Sequence, residues 1–165
     1  MAASRERVRA QAIEGFFLHC LMAVHLQAIA SKALGSEGFS LTKHRILGFA
    51  TITPGITVGR LVQTLRVTHQ ALNRPLRALI NEGYVVAKTG IEDRREKHLF
   101  PTRKGSRLYL RIVAKTIGRV DQVFRAAGPD SVRGFLEVHR RLVEARDRQW
   151  IEVASKVVEE GERKK

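Results

Sequence analysis

Cysteine is nearly absent. Cys20 stands alone in 165 residues, so no intrachain disulfide can form, and a reducing compartment suits the chain. No uninterrupted apolar run reaches the roughly 20 residues of a membrane span. The most apolar stretch, residues 13–29, is interrupted by Glu14, His19, His25 and Gln27, which makes it a poor signal peptide. A soluble cytoplasmic protein with no membrane partner is therefore expected. Also missing are a glycine-rich phosphate loop, a Cys/His cluster at metal-ligand spacing and a Gly-x-Ser-x-Gly elbow. These absences argue against an enzyme and call for neither cofactor nor metal. There is no internal repeat and no low-complexity segment.

Acid is scarce as well. The net charge is +14 and the sequence pI about 11.0. Such a balance favours a polyanionic partner, because Lys and Arg near phosphates release condensed counterions. The deficit is also localised. From Gly38 through Asn81 there is no Asp or Glu, against Lys43, Arg45, Arg60, Arg66, Arg74 and Arg77. A solvated surface without a partner normally mixes both signs.

Periodicity places the elements. Residues 5–33 repeat apolar groups at helical spacing over a wide face, and Gly35-Ser36-Glu37-Gly38 stops that helix. A second helix follows Ser40 or Thr42 and ends at Thr53-Pro54-Gly55. Thr57 caps a short helix over 58–65, Arg66-Val67 makes a tight turn, and Thr68 caps a helix to Asn81 or Glu82 that Gly83 closes. Residues 84–88 and 97–100 read as two strands around a polar loop. Pro101 is expected to limit the second to an edge. Thr102 caps a helix to about Ala127, Gly128-Pro129-Asp130 breaks it, and one last helix runs from Ser131 to about Val157 before a frayed tail.

Chemistry concentrates in two places. In the helix after Thr68, Leu72, Leu76, Leu79 and Ile80 share an inward face, while His69, Gln70, Asn73, Arg74 and Arg77 fall elsewhere. Asn and Gln can pair bidentately with adenine, and Arg with guanine. Thr68 at the helix start can join the free backbone N–H groups on a phosphate. Pro75 is expected to bend this helix. In the hairpin loop, Arg94, Arg95 and Lys97 suit the negative potential of a narrow minor groove. Asp93 cannot favour DNA itself. Its expected role is to accept hydrogen bonds from Arg95 or the loop backbone and fix the loop.

Residues 41–105 resemble the winged-helix core of the multiple-antibiotic-resistance regulator (MarR) family. The matching residues are Leu41-Thr42, Arg45-Ile46-Leu47, Ile56-Thr57-Val58-Gly59-Arg60-Leu61, Val67-Thr68-His69-Gln70-Ala71-Leu72, Leu79-Ile80-Asn81-Glu82-Gly83-Tyr84-Val85, Asp93-Arg94-Arg95 and Thr102-Arg103-Lys104-Gly105. Pro101 departs from the pattern, which usually has Leu there, and bears on the length of the second wing strand. The resemblance implies a mainly α fold, a winged helix-turn-helix with helices at both ends that pair two chains. Residues 1–38 and 106–165 would form the dimerisation part and residues 39–105 the DNA-binding unit.

A homodimer on a pseudo-palindromic operator follows from the resemblance, with recognition helices roughly 34 Å apart. The DNA-contacting set is then Thr57, Arg66, Thr68, His69, Gln70, Asn73, Arg74, Arg77, Arg94, Arg95 and Lys97. Repression relieved by a small aromatic acid is the implied mode. Phe16, His19, His25, His44, Arg45 and Phe49, with Phe17, would line the effector crevice. Other readings are a winged-helix module for RNA or a protein, and a thiol sensor through Cys20. That branch of the family places tyrosines beside its cysteine, whereas the tyrosines here are Tyr84 and Tyr109; a buried, inert Cys20 is expected.

Overall fold

The computed structural model describes residues 2–34, 39–91 and 93–163. In chain order the elements are α1 (Ala2–Leu34), α2 (Leu41–Ile52), β1 (Ile56–Thr57), α3 (Val58–Leu65), α4 (His69–Asn81), β2 (Val85–Thr89), β3 (Lys97–Pro101), α5 (Arg103–Ala127), α6 (Pro129–Leu142) and α7 (Ala145–Arg163). The stop expected at residues 35–38 lies outside the described residues.

Hydroxyl caps start the central helices. Ser40, Thr57, Thr68 and Thr102 each accept the N–H three residues on, from Lys43, Arg60, Ala71 and Gly105, at 3.0–3.2 Å. Each cap satisfies one of the donors that a helix start leaves without a partner. Behind the caps, Ile46, Leu47, Leu61, Leu72, Leu79, Val85, Leu99 and Ile112 are almost wholly buried and make one core from α2, α3, α4, the sheet and α5.

The sheet runs β1-β3-β2, all antiparallel, with Ile56 opposite Leu99 and Val85 opposite Pro101. Periodicity misses β1, whose two residues are too few to show an alternation. Its pairing makes β3 the central strand rather than an edge. Pro101 is tolerated there because β1 reaches only His98 and Leu99, so no strand needs the missing N–H. All five residues of β3 pair with β2.

A close approach explains the Thr-x-x-Gly sequence that opens α5. Thr102 Oγ1 donates to the carbonyl of Gly83 at 2.7 Å and accepts from Gly105 N–H at 3.0 Å. A Cβ on Gly105 would stand 2.1 Å from the carbonyl oxygen of Tyr84 and 3.0 Å from Leu47 Cδ1. Glycine therefore lets α5 sit directly on the α4–β2 connection, where Gly83 itself takes a positive φ of 71°.

Several expectations change. The last helix is two. Pro129 and Asp130 sit inside α6, since proline in a first turn forfeits no helical bond, and Val143 turns extended before α7 begins. The tail expected to fray is helical to Arg163. Cys20 is exposed on the single chain, because α1 leaves most of its apolar face uncovered. Finally, Ser4–Lys32 contains a window of mean hydropathy 1.5 and is long and apolar enough to cross a membrane. Of the interruptions read from the sequence, Glu14 adds one formal charge and His19, His25 and Gln27 add none, too little to disqualify the stretch.

Candidate nucleic-acid interface

The geometry begins with α4. Leu72, Leu76 and Leu79 face the core, Ile80 is half-buried, and His69, Gln70, Asn73, Arg74 and Arg77 are exposed. The two faces read from the sequence are therefore separate in space. The first turn of α4 carries no acid, so its positive end is left uncompensated. Thr68 spends its side-chain acceptor on Ala71 N–H, and its hydroxyl proton remains for an oxygen outside the helix. Thr57 does the same at α3, accepting from Arg60 N–H at 3.1 Å.

Arg66 differs from the rest of the set. It closes α3 in the left-handed region, φ 54°, and its guanidinium pairs with Glu144 at 2.5 Å. A phosphate would have to compete with that carboxylate. The segment between α6 and α7 thus reaches the turn of the helix-turn-helix, a contact 78 positions apart that no local pattern reveals.

The hairpin loop is internally braced. Gly90 N–H donates to Glu96 O at 3.0 Å, and Glu96 N–H to Asp93 O at 3.0 Å. Asp93 Oδ1 accepts from Arg95 N–H at 2.8 Å, which is the bracing role the sequence suggested. Glu92 lies outside the described residues. Arg94 and Arg95 project from the brace as exposed cations. Lys97 Nζ donates to Thr89 Oγ1 across the strands at 2.7 Å, and Lys88 lies 5.0 Å over the Phe100 ring. His98 ties the hairpin to β1 through Nδ1, 3.0 Å from Gly55 O.

The residues read as an effector crevice are divided between several partners. Phe16 and Phe17 stack edge to face at 5.4 Å on α1, both about 60 % exposed. His19 meets His139 of α6, and His25 lines a groove of about 980 Å³ between α1, α5 and α6 together with Leu21, Ile29, Val123 and Phe135. Arg45 is exposed. Phe49 packs edge to face on Trp150 at 5.2 Å. His44 is half-buried against Tyr109, with ring centroids 5.6 Å apart. Burial, and then the adjacent Arg45 charge, push its pKa below the usual histidine value. Burial alone raises that of Tyr109. Among the described residues, His44 Nε2 is one of four buried side-chain polar atoms without a hydrogen-bond partner. No group of three or more His, Cys, Asp or Glu among the described residues could hold a metal.

Sequence reasoning passed over the cations of α5. Arg103, Lys104, Arg107 and Arg111 gather beside Tyr84 around a shallow cavity of about 430 Å³. The signal was present: the acid deficit resumes at Lys97 and lasts to Val120.

Comparison with known proteins fits this geometry. A family model described as MarR family matches residues 37–96. The HTH-type transcriptional regulator PetP of Rhodobacter capsulatus is 37% identical over 113 residues, 68% of each chain. Among solved structures, MarR superposes with a TM-score of 0.69 at 25% identity, covering 84% of this chain and 93% of that one. The MarR family transcription regulator SP03579 gives a TM-score of 0.75 at 19% identity, over 94% and 99%, a likeness of fold. The order of helices and hairpin, the braced Asp-Arg-Arg loop, the Thr-x-x-Gly seat of α5 and the extent of the match to PetP lead to one assignment: this chain belongs to the MarR family of transcription regulators.

Proposed function

We propose that two copies of this chain bind a pseudo-palindromic operator in duplex DNA. In this reading residues 39–105 form the DNA-binding unit, and residues 1–38 and 106–165 join the protomers. The observation that carries it is the outward face of α4. His69, Gln70, Asn73, Arg74 and Arg77 stand exposed on a helix whose other side is fixed in the core, within a stretch free of acid. Asn73, Gln70 and Arg74 read base edges, and Arg77 and Thr68 hold phosphates. Arg94 and Arg95 enter the flanking minor groove, with Lys97 on the adjoining backbone. Thr57 and Arg66 contact phosphate beside the turn, Arg66 after release from Glu144.

Dimerisation is supported by α1. Val8, Ile13, Phe16, Phe17, Leu18, Leu21 and Val24 are each more than half exposed, a larger apolar stripe than a monomer usually shows water. The groove between α1, α5 and α6 continues that stripe. A second copy covering it would also bury Cys20.

Regulation follows the family's mode: the bound dimer represses, and a small aromatic acid releases it. His44 supports an acid site, since a carboxylate at the α2–α5 junction would supply the partner its Nε2 lacks.

The test is fluorescence anisotropy on duplexes selected from a random-sequence pool. Asn73→Ala and Arg74→Ala should each cost about 1–3 kcal/mol on the selected site and relax its sequence preference. Equal affinity of the unmutated protein for every duplex would refute operator recognition.

A further inference from the structure

Beyond the hairpin the chain stays free of acid for a second long stretch. Between Lys97 and Val120 there is no Asp or Glu, against Lys97, Arg103, Lys104, Arg107, Arg111, Lys115 and Arg119. On α5, Arg103, Arg107, Arg111, Lys115 and Arg119 recur every fourth residue. At 3.6 residues per turn, Arg103, Lys104, Arg107, Arg111 and Lys115 share about a third of the helix circumference. All five are exposed, and the far side of the helix buries Gly105, Leu108 and Ile112.

Like charges four residues apart weaken a helix, and α5 carries no acid of its own before Asp121. Further along the chain three arginines pair with acids on their own helices: Arg125 with Asp121, Arg133 with Asp130, and Arg141 with Glu137. The first turn of α5 contains no acidic residue, and the helix's positive end adds to the field there. Lys104 is fixed in place, its Nζ 2.9 Å from Glu82 O and 4.2 Å from the Tyr84 ring centre.

Position and composition identify the partner. β3 begins at the hairpin loop and ends one residue before α5, so the row starts about 16 Å from the wing tip and extends a further ~18 Å to Lys115. That length matches about five base pairs of duplex at 3.4 Å each. The sector holds no large apolar side chain, and protein interfaces depend on buried aromatic and aliphatic anchors. A phosphate backbone needs none.

We infer that this face of α5 is a second phosphate-binding surface, distinct from α4 and the wing, which takes the backbone of duplex DNA flanking the operator. The inference rests on the operator reading above.

The experiment compares the intact protein with a triple variant, Arg103→Gln, Arg107→Gln and Lys115→Gln. The probes are a 24-bp duplex carrying the site selected by the intact protein and a 60-bp duplex with that site at its centre. Salt titrations are run on both. The intact protein should bind the longer duplex roughly tenfold more tightly, with a salt slope steeper by about three. The variant should lose both differences while matching the intact protein on the 24-bp duplex. Its melting temperature should not fall, since the substitutions remove only exposed charge. Equal binding of the two proteins to the 60-bp duplex would overturn the inference and leave an acidic protein surface as the alternative. Equal losses on both duplexes would overturn it too, by placing these residues within the operator contact. Failure of the intact protein on the 24-bp duplex would instead defeat the operator reading, and this inference with it.

Discussion

Gly105 shows how one residue can decide whether two elements meet. Its missing Cβ is the space in which α5 rests on Tyr84 O. Gly105→Ala should therefore destabilise the chain by about 3 kcal/mol or more, because the obstruction is backbone and cannot rotate away. Urea denaturation measures it, and a loss under 1 kcal/mol would mean that α5 can shift freely. His44 sets a pH dependence. Its folded pKa lies below the unfolded value of about 6.5, so the unfolded chain binds a proton first. The contribution is fully present above that value and is lost as pH falls through the folded pKa. Thermal melts from pH 7.5 to 5 should show stability falling, with a shallower fall in His44→Phe.

At the scale of elements, the wing makes the sharper prediction. Asp93 directly precedes two exposed arginines, and removing it would raise the local positive charge. Charge alone says that Asp93→Ala should bind DNA more tightly. The brace to Arg95 N–H says the reverse, since an unfixed loop must be ordered on binding. Weaker binding by about fivefold is expected, the cost of ordering a few residues outweighing one screened charge. Tighter binding of the variant would show that the brace is unimportant.

Much of this level was legible in the sequence. Thr57, Thr68 and Thr102 announce helix starts because a cap is a local contact, and Leu72, Leu76 and Leu79 announce a buried face because their spacing repeats. What the sequence concealed is long-range. Nothing in Arg-Leu-Val-Glu-Ala, residues 141–145, marks a break, and Glu144 reaches Arg66 only in the folded chain. β1 exists because β3 is there to pair with it. The exposed polar face of α4 was legible, whereas the proposed effector residues scatter among different partners, because a crevice between elements has no signature along the chain.

For the whole molecule, the uncovered side of α1 is the dominant surface feature. Phe17→Glu places a charge in the middle of the stripe and should convert a dimer to a monomer in light scattering, with operator affinity falling as the second half-site is lost. A variant that remains dimeric would move the interface elsewhere. A protein recovered with lipid vesicles rather than as a soluble dimer would point to a membrane as the partner of α1, consistent with its length and hydropathy.

One further property follows from α5, which runs without interruption from the base of the hairpin to the groove beside α1 and α6. Its 25 residues make a stiff rod about 37 Å long. Tilting one end by about five degrees swings the other through about 3 Å, close to the rise of a single base pair. In the proposed dimer, a slight repacking where two protomers meet would then be enough to put both reading heads out of step with the double helix, with no rearrangement inside either.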